Sequence, residues 1–281
     1  ELPGKPISGI VDLRGGSAAS EKSGTAGFSG SFGRIAWHLE GAKRETDDYE
    51  SAEGTVVNSF SQAESAAIGL SYVGDHGYLG LSTSTFDTLY GSPIEEEVKI
   101  DLEQKRVDLQ GEWNRPAGFF KAFKLRAGKN DYEHVELEGD QVGTRFLNEG
   151  WEARVEGVQR ARGPLTGSFG VQVLRRDFEA IGEEAFVPPT RTDSWAAFTF
   201  QEISTGSLRW QLGARYESQQ VDANVEEGTT SRDQNGLSGS LGAVWIPNDD
   251  WTLGLVASRS ARTGSSSRSP PIAAATRTSG P

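Results

Sequence analysis

The sequence predicts an all-β protein: an antiparallel up-and-down transmembrane β-barrel, present in part, with about 13 strands. Three observations predict it. Apolar and polar residues alternate with period two over long stretches, and the i, i+3, i+4 spacing of an amphipathic helix is absent. Short turn signals alternate along the chain with longer polar connections. The alternating strands place most of their charge on one face, so that face must be wet.

The alternation is clearest in Leu208–Glu217, where Leu208, Trp210, Leu212, Ala214 and Tyr216 alternate with Arg209, Gln211, Gly213, Arg215 and Glu217. In Trp251–Ser258 the odd positions are the apolar ones. Val107, Leu109 and Trp113 alternate with Asp108, Gln110 and Glu112, Phe123 and Leu125 with Lys124 and Arg126, and Trp151 and Val155 with Glu152 and Arg154. Turn signals fall at Phe32-Gly33, Gly74–Gly77, Asn114–Gly118, Ala161–Pro164, Ser204–Gly206 and Pro247–Asp250. Between them the sequence predicts long polar connections at Gly15–Ser23, Thr46–Ser61, Thr88–Glu97, His134–Val142, Glu179–Arg191 and Val221–Asn235. Residues 1–263 carry the strand pattern. Residues 264–281 are rich in Ser, Pro, Ala and Thr, and are expected to be a low-complexity tail, disordered or frame-shifted.

A repeat of about 43 residues also suits a β-propeller blade. A blade, however, packs four strands of about 5 residues, whereas each repeat here holds two strands of about 10 to 14, long enough to cross a bilayer. A soluble barrel would bury Arg209, Arg215, Glu152 and Arg126 at several kcal/mol per ion. The apolar face is therefore expected against outer-membrane lipid and the charged face along a watery interior. Trp37, Tyr72, Trp113, Trp151, Trp210 and Trp251 lie near strand ends, where interfacial girdles sit. Barrels of this type normally have an even number of strands, so the count suggests an incomplete chain. The absence of Met likewise suggests a processed chain or an internal piece.

Composition excludes other classes. With 28 basic and 40 acidic residues the net charge is −12, which argues against a nucleic-acid surface. The chain has no Cys, hence no disulfide, thiolate metal site or Cys nucleophile. The three His are far apart, and no nucleophile elbow, phosphate loop or dinucleotide fingerprint appears, so neither enzymatic activity nor a bound cofactor is expected.

Several stretches carry a family resemblance. They are Asn130–Gly139, Val142–Phe146, Asn148–Glu152, Arg176–Pro189, Leu212–Glu217 and Ser258–Arg262. They resemble the barrel of TonB-dependent outer-membrane receptors, and more narrowly the branch associated with zinc uptake, across about Glu1 to Thr263. The resemblance implies a barrel of 22 strands around an N-terminal plug, opened by the TonB energy-coupling protein. Pro6–Arg14 then matches the first barrel strand. The plug, the TonB-contacting box and about nine C-terminal strands are expected to lie outside the chain, which alone should transport nothing. The implied location is the bacterial outer membrane. The implied substrate is a metal ion or metal complex, with zinc as the candidate metal. The alternative is a plug-less porin or adhesion barrel.

Two groups are candidate metal ligands. In that branch a His-rich stretch often follows Leu-Tyr-Gly. Here Leu89-Tyr90-Gly91 leads instead to Glu95, Glu96 and Glu97, which would attract a cation without selecting zinc. The second group is His134, Glu136 and Glu138, which share one face of an extended strand and so present an imidazole and two carboxylates together. The bland reading of both is an acidic, solvated rim. His76 reads as a turn residue and His38 as a lining residue of the interior. Glu183-Glu184, in a loop stiffened by Pro188-Pro189, would add to an electronegative mouth that concentrates cations.

Overall fold

The computed structural model describes residues 6–95, 97–139, 141–182, 185–225, 228–248 and 250–268, without the side chains of 262–268. The strands are β1 (Ile7–Gly16), β2 (Glu21–Phe32), β3 (Ile35–Thr46), β4 (Glu50–Ser51), β5 (Gly54–Thr55), β6 (Ser61–Gly74), β7 (Gly77–Gly91) and β8 (Val98–Asn114). They continue as β9 (Phe120–Glu138), β10 (Gln141–Gln159), β11 (Leu165–Gly182), β12 (Thr190–Thr205), β13 (Leu208–Val225), β14 (Gly228–Asn248) and β15 (Trp251–Arg268). Thirteen of them form one sheet in chain order, β1-β2-β3-β6 and onward to β15, and β4 pairs only with β5. Every pairing is antiparallel. Each strand therefore pairs with its neighbours in sequence, the meander of an up-and-down barrel wall. Among the described residues β1 and β15 pair on one side only, so the wall is open.

The period-two pattern positions the faces. On β13, Leu212, Trp210 and Tyr216 are 44%, 40% and 40% exposed although apolar or aromatic, so they meet no protein core. From Leu208 to Tyr216 this stripe covers about 26 Å at about 3.3 Å per residue, on the scale of the roughly 25 Å apolar band of membrane barrels. The register carries the stripe sideways: Leu109 faces Leu81 and Ala127, and Val155 faces Leu125 and Val171.

Side chains two strands apart meet on the opposite, charged face. Arg215 Nη1 donates to Gln172 Oε1 at 3.2 Å across β12. The Arg154 guanidinium stacks 4.1 Å from the Phe198 ring across β11. Phe198 reaches it by lying over Gly170, where a Cβ would collide with the ring. Reach across an intervening strand marks the concave side, so the charged face lines the interior.

At one end of the sheet the connections are hairpins matching the turn signals. Gly33 and Gly206 hold φ of 58° and 57° there, in the left-handed region that a Cβ disfavours. At the other end, the loop end, the expected long connections are mostly shorter. His134–Val142 and Val221–Asn235 are largely strand, since β9 runs to Glu138 and β10 starts at Gln141, and β13 runs to Val225 and β14 starts at Gly228. Strands reach 21 residues in β14, beyond the length expected from the sequence. The pairing also runs on to Arg268, opposite Thr230, five residues past the boundary drawn at 263. Backbone ladders need no apolar alternation where both faces are wet, which is why the pattern does not announce these extensions. The rest of the tail, 269–281, lies outside the described residues.

Candidate functional site

The inward face at the loop end brings the predicted residues to one corner. On β9, His134 stands opposite Leu102 of β8 and Phe146 of β10. Its ring lies 5.2 Å from that of Phe146, tilted by 52°. The Tyr132 hydroxyl is 3.3 Å from His134 Nδ1. Burial, together with the nearby Tyr90, holds the Tyr132 phenol above its usual range. His134 Nε2 is buried and has no hydrogen-bond partner. Glu136 Oε1, at 3.8 Å, is too distant to supply one. Glu138 follows one step along the same face.

The second predicted group lies beside the first. Val98 pairs with Glu138, and Gly139 N donates to Glu97 O at 2.9 Å, so the 92–97 connection abuts the turn after β9. Glu95 serves here through its backbone: its carbonyl accepts from Val98 N at 3.0 Å and from Asn58 Nδ2 at 3.1 Å. Glu96, and with it Glu183 and Glu184, lies outside the described residues. Among the described residues no three His, Asp or Glu side chains converge as a metal would require. His134 and Glu136 thus form an imidazole–carboxylate pair within an aromatic surround, not a coordination sphere.

Sequence reasoning missed what holds this corner. Asp48 accepts three backbone N–H groups: Oδ1 from Ser59 at 2.7 Å and Phe60 at 2.9 Å, Oδ2 from Asn58 at 3.1 Å. That fixes the connection between β3 and β6 in a tight bend, with Asn58 at φ 58°. Asn58 is 6% exposed. Its Nδ2 donates across to the 92–98 segment, with Ser92 O at 3.1 Å and Val98 O at 2.7 Å besides Glu95 O. Gly91 leaves no room for a Cβ against the Asn58 side chain. The Gly of Leu89-Tyr90-Gly91 is thus a packing requirement. The only hint in the sequence was Asn at a turn position, a residue that tolerates left-handed φ.

His38 faces inward on β3, its Nε2 3.3 Å from Glu40 Oε2. His76 lies in the β6–β7 hairpin turn, where its carbonyl accepts from Asn114 N at 2.5 Å.

Comparison with known proteins follows the fold. Residues 20–280 match the family model described as TonB dependent receptor-like, beta-barrel. Among solved structures, the chain is similar to the FrpB iron transporter of Neisseria meningitidis, with a TM-score of 0.73 at 14% identity over 89% of this chain and 44% of that one. It is similar to the copper transporter OprC, with a TM-score of 0.69 at 12% identity over 89% and 48%. The ferric citrate transporter FecA gives 0.66 at 13% over 90% and 43%. At these identities the likeness is one of fold. The chain spans about half the length of the structures it matches.

Proposed function

The chain belongs to the TonB-dependent receptor β-barrel family, and from that premise we propose that it is part of an outer-membrane receptor importing a metal ion or metal complex. The observation that carries this reading is the assignment of faces. An exposed apolar band on a sheet with a charged, concave interior is what lipid outside and water inside require. The similar structures are transporters of copper, iron and ferric citrate, which supports metal as the cargo class. In this reading the location is the bacterial outer membrane. The plug and the TonB protein supply gating and energy, as the family implies.

Within the wall, we assign first contact with the cargo to His134 and Glu136. An imidazole whose Nε2 has no hydrogen-bond partner offers a nitrogen donor of the kind metals take, and a carboxylate beside it adds charge. Zinc is the candidate metal, with Glu95, Glu97 and Glu138 as flanking carboxylates. The test is calorimetric titration of the receptor polypeptide carrying this chain with zinc and other divalent ions, comparing wild type with His134→Ala. The expected result is weaker binding in the variant. Identical isotherms would remove His134 as a contact, and no uptake of any metal or metal complex by cells bearing the receptor would sink the transport reading.

A further inference from the structure

Two neighbouring hairpins finish the sheet with an aromatic plate. The turn between β8 and β9, residues 115–119, lies beside the turn between β10 and β11, residues 160–164, and Arg160 N donates to Phe119 O at 2.9 Å. The Arg160 side chain braces the pair: Nε donates to Gly118 O at 3.0 Å and Nη2 to Pro116 O at 2.5 Å. The plate runs along their outward side. Centre to centre, the Trp113 ring lies 6.1 Å from Phe123, Phe123 4.8 Å from Phe120, Phe120 5.0 Å from Phe119, and Phe119 6.2 Å from Phe169. Phe120 joins the plate by lying over Gly157, where a Cβ would meet its ring at 2.6 Å. Trp113 and Phe169 remain 55% and 42% exposed, so no described residue covers the plate.

Cations collect at these two hairpins without carboxylate partners. Arg115, Lys121 and Arg162 are exposed, and none forms an ion pair with a described residue. The Arg162 guanidinium carbon lies 5.0 Å above the Phe119 ring, which ties that charge to the plate. Arg115 N donates to Lys121 O at 2.8 Å, so these two cations flank one turn. No Asp or Glu occurs in residues 113–123 or 157–169, although the chain has 40 acidic residues against 28 basic ones. The adjoining acids, Glu112 and Glu156, stand on the inward face on either side of Lys124. Cations elsewhere on the sheet are answered. At the hairpin end Arg34 lies 2.8 Å from Asp75 and Arg209 3.5 Å from Glu202. On the outward rim of the loop end Lys43 lies 2.9 Å from Glu45, and Lys129 2.7 Å from Glu149.

We propose that this hairpin pair is a docking site for an anionic phospholipid of the leaflet at the hairpin end, with Arg115, Lys121 and Arg162 taking the phosphate and the aromatic plate lying along the acyl chains. The inference rests on the membrane reading of the two faces and not on the cargo. The plate continues the outward apolar band, so lipid is what covers it. Aromatic belts sit at headgroup depth. At that depth the apolar stems of Lys and Arg stay in the hydrocarbon margin while their charges reach water. There the available counter-charge is phosphate, which a guanidinium meets with two hydrogen bonds at once, and each basic residue near an anionic surface strengthens attachment. A rim whose cations are already paired has no such preference. Arg160, committed to two carbonyls, positions the hairpins and leaves the phosphate to its neighbours.

The experiment adds short-chain phosphatidylglycerol or phosphatidylcholine to the detergent-solubilised receptor polypeptide carrying this chain, and reads bound lipid by native mass spectrometry. It compares wild type, Arg115→Gln/Lys121→Gln/Arg162→Gln, and the loop-end control Lys43→Gln/Lys105→Gln/Lys129→Gln, which removes the same charge. Each is verified for strand content by circular dichroism. Wild type is expected to prefer phosphatidylglycerol, the hairpin-end variant to bind it about tenfold or more weaker, and the control to match wild type. The wild-type preference should also shrink at high salt, a reading that needs no variant. Equal binding of the two lipids by wild type, or a hairpin-end variant that keeps the preference, overturns the proposal. Displacement of phosphatidylglycerol by inorganic phosphate at constant ionic strength would assign the site to the free anion and overturn the lipid as occupant. A receptor polypeptide that stays dispersed without detergent would instead sink the membrane reading itself.

Discussion

On the outward face above Trp151, Lys129, Arg175 and Arg191 each have a carboxylate within 2.7 Å. On the inward face of the same strands, Arg126 and Arg154 oppose each other, and His134 Nε2 has no hydrogen-bond partner. One backbone ladder serves both faces, so the difference lies in what each face must meet. The outward rim settles these charges pairwise, while the inward wall, though it pairs Arg106 with Asp108 and Arg154 with Glu156, leaves His134 Nε2 without a hydrogen bond. A self-neutralised rim suits a surface against headgroups and solvent, whereas uncommitted donors suit one that receives ligands. Exposed pairs of the first kind contribute only about 0–1 kcal/mol each, so their pairing reflects the surroundings more than a need for stability.

The largest test of this contrast puts a charge on each face of β13. Leu212→Arg, in the lipid-facing stripe, should cost about 2–4 kcal/mol in lipid-embedded unfolding by denaturant. Gln211→Arg, one residue away and inward, should change stability by less than about 0.5 kcal/mol. Equal costs would mean that the faces are misassigned.

Next in size is the Asp48–Asn58 knot. Asn58→Ala removes the amide that bridges the Ser92, Glu95 and Val98 carbonyls, each of which keeps a backbone N–H donor, and should cost about 0.5–1.5 kcal/mol locally. Hydrogen exchange should speed up at 48–60 and 92–98 while β13 stays protected. Uniform exchange across the sheet would show that the knot holds nothing in particular. Smaller again is Arg175→Gln on the outward rim, expected to cost under about 1 kcal/mol and to lose its effect in 1 M salt. A cost that survives high salt would show that the outward pair is more than a surface contact.

The smallest effect concerns Asp222, outward on β13, whose carboxyl is held below its ordinary value by hydrogen bonds from Ser231 and then Gln220. Because its folded pKa is depressed, its stabilisation is present above the unfolded value of about 3.9 and is lost as pH falls through the folded value. Ser231→Ala should move the Asp222 titration upward, read by carboxyl NMR, so that the loss sets in at higher pH. An unmoved titration would show that Ser231 is not the cause.

Much of this was legible in the residues. Leu208–Glu217 and Trp151–Val155 declared their two faces, because a half-buried strand must alternate. The six turn signals coincide with the six hairpins at one end of the sheet. The loop end was less legible. His134–Val142 and Val221–Asn235 read as loops because alternation disappears where neither face is apolar, although the backbone goes on pairing. The candidate ligands were legible as residue types but not as neighbours. That Glu97 abuts the turn after Glu138 follows from the registers of β7–β8 and β8–β9, which no local pattern contains.

The sequence by itself determined the strand class, the greasy and charged faces and the hairpin turns, since each depends on side chains a few positions apart. Only the tertiary structure decided the length of the extensions, the docking of Asn58 on the 92–98 segment, and the meeting of Arg126 with Arg154. Those depend on which residues stand opposite across strands, and a ladder's register is fixed by the whole sheet.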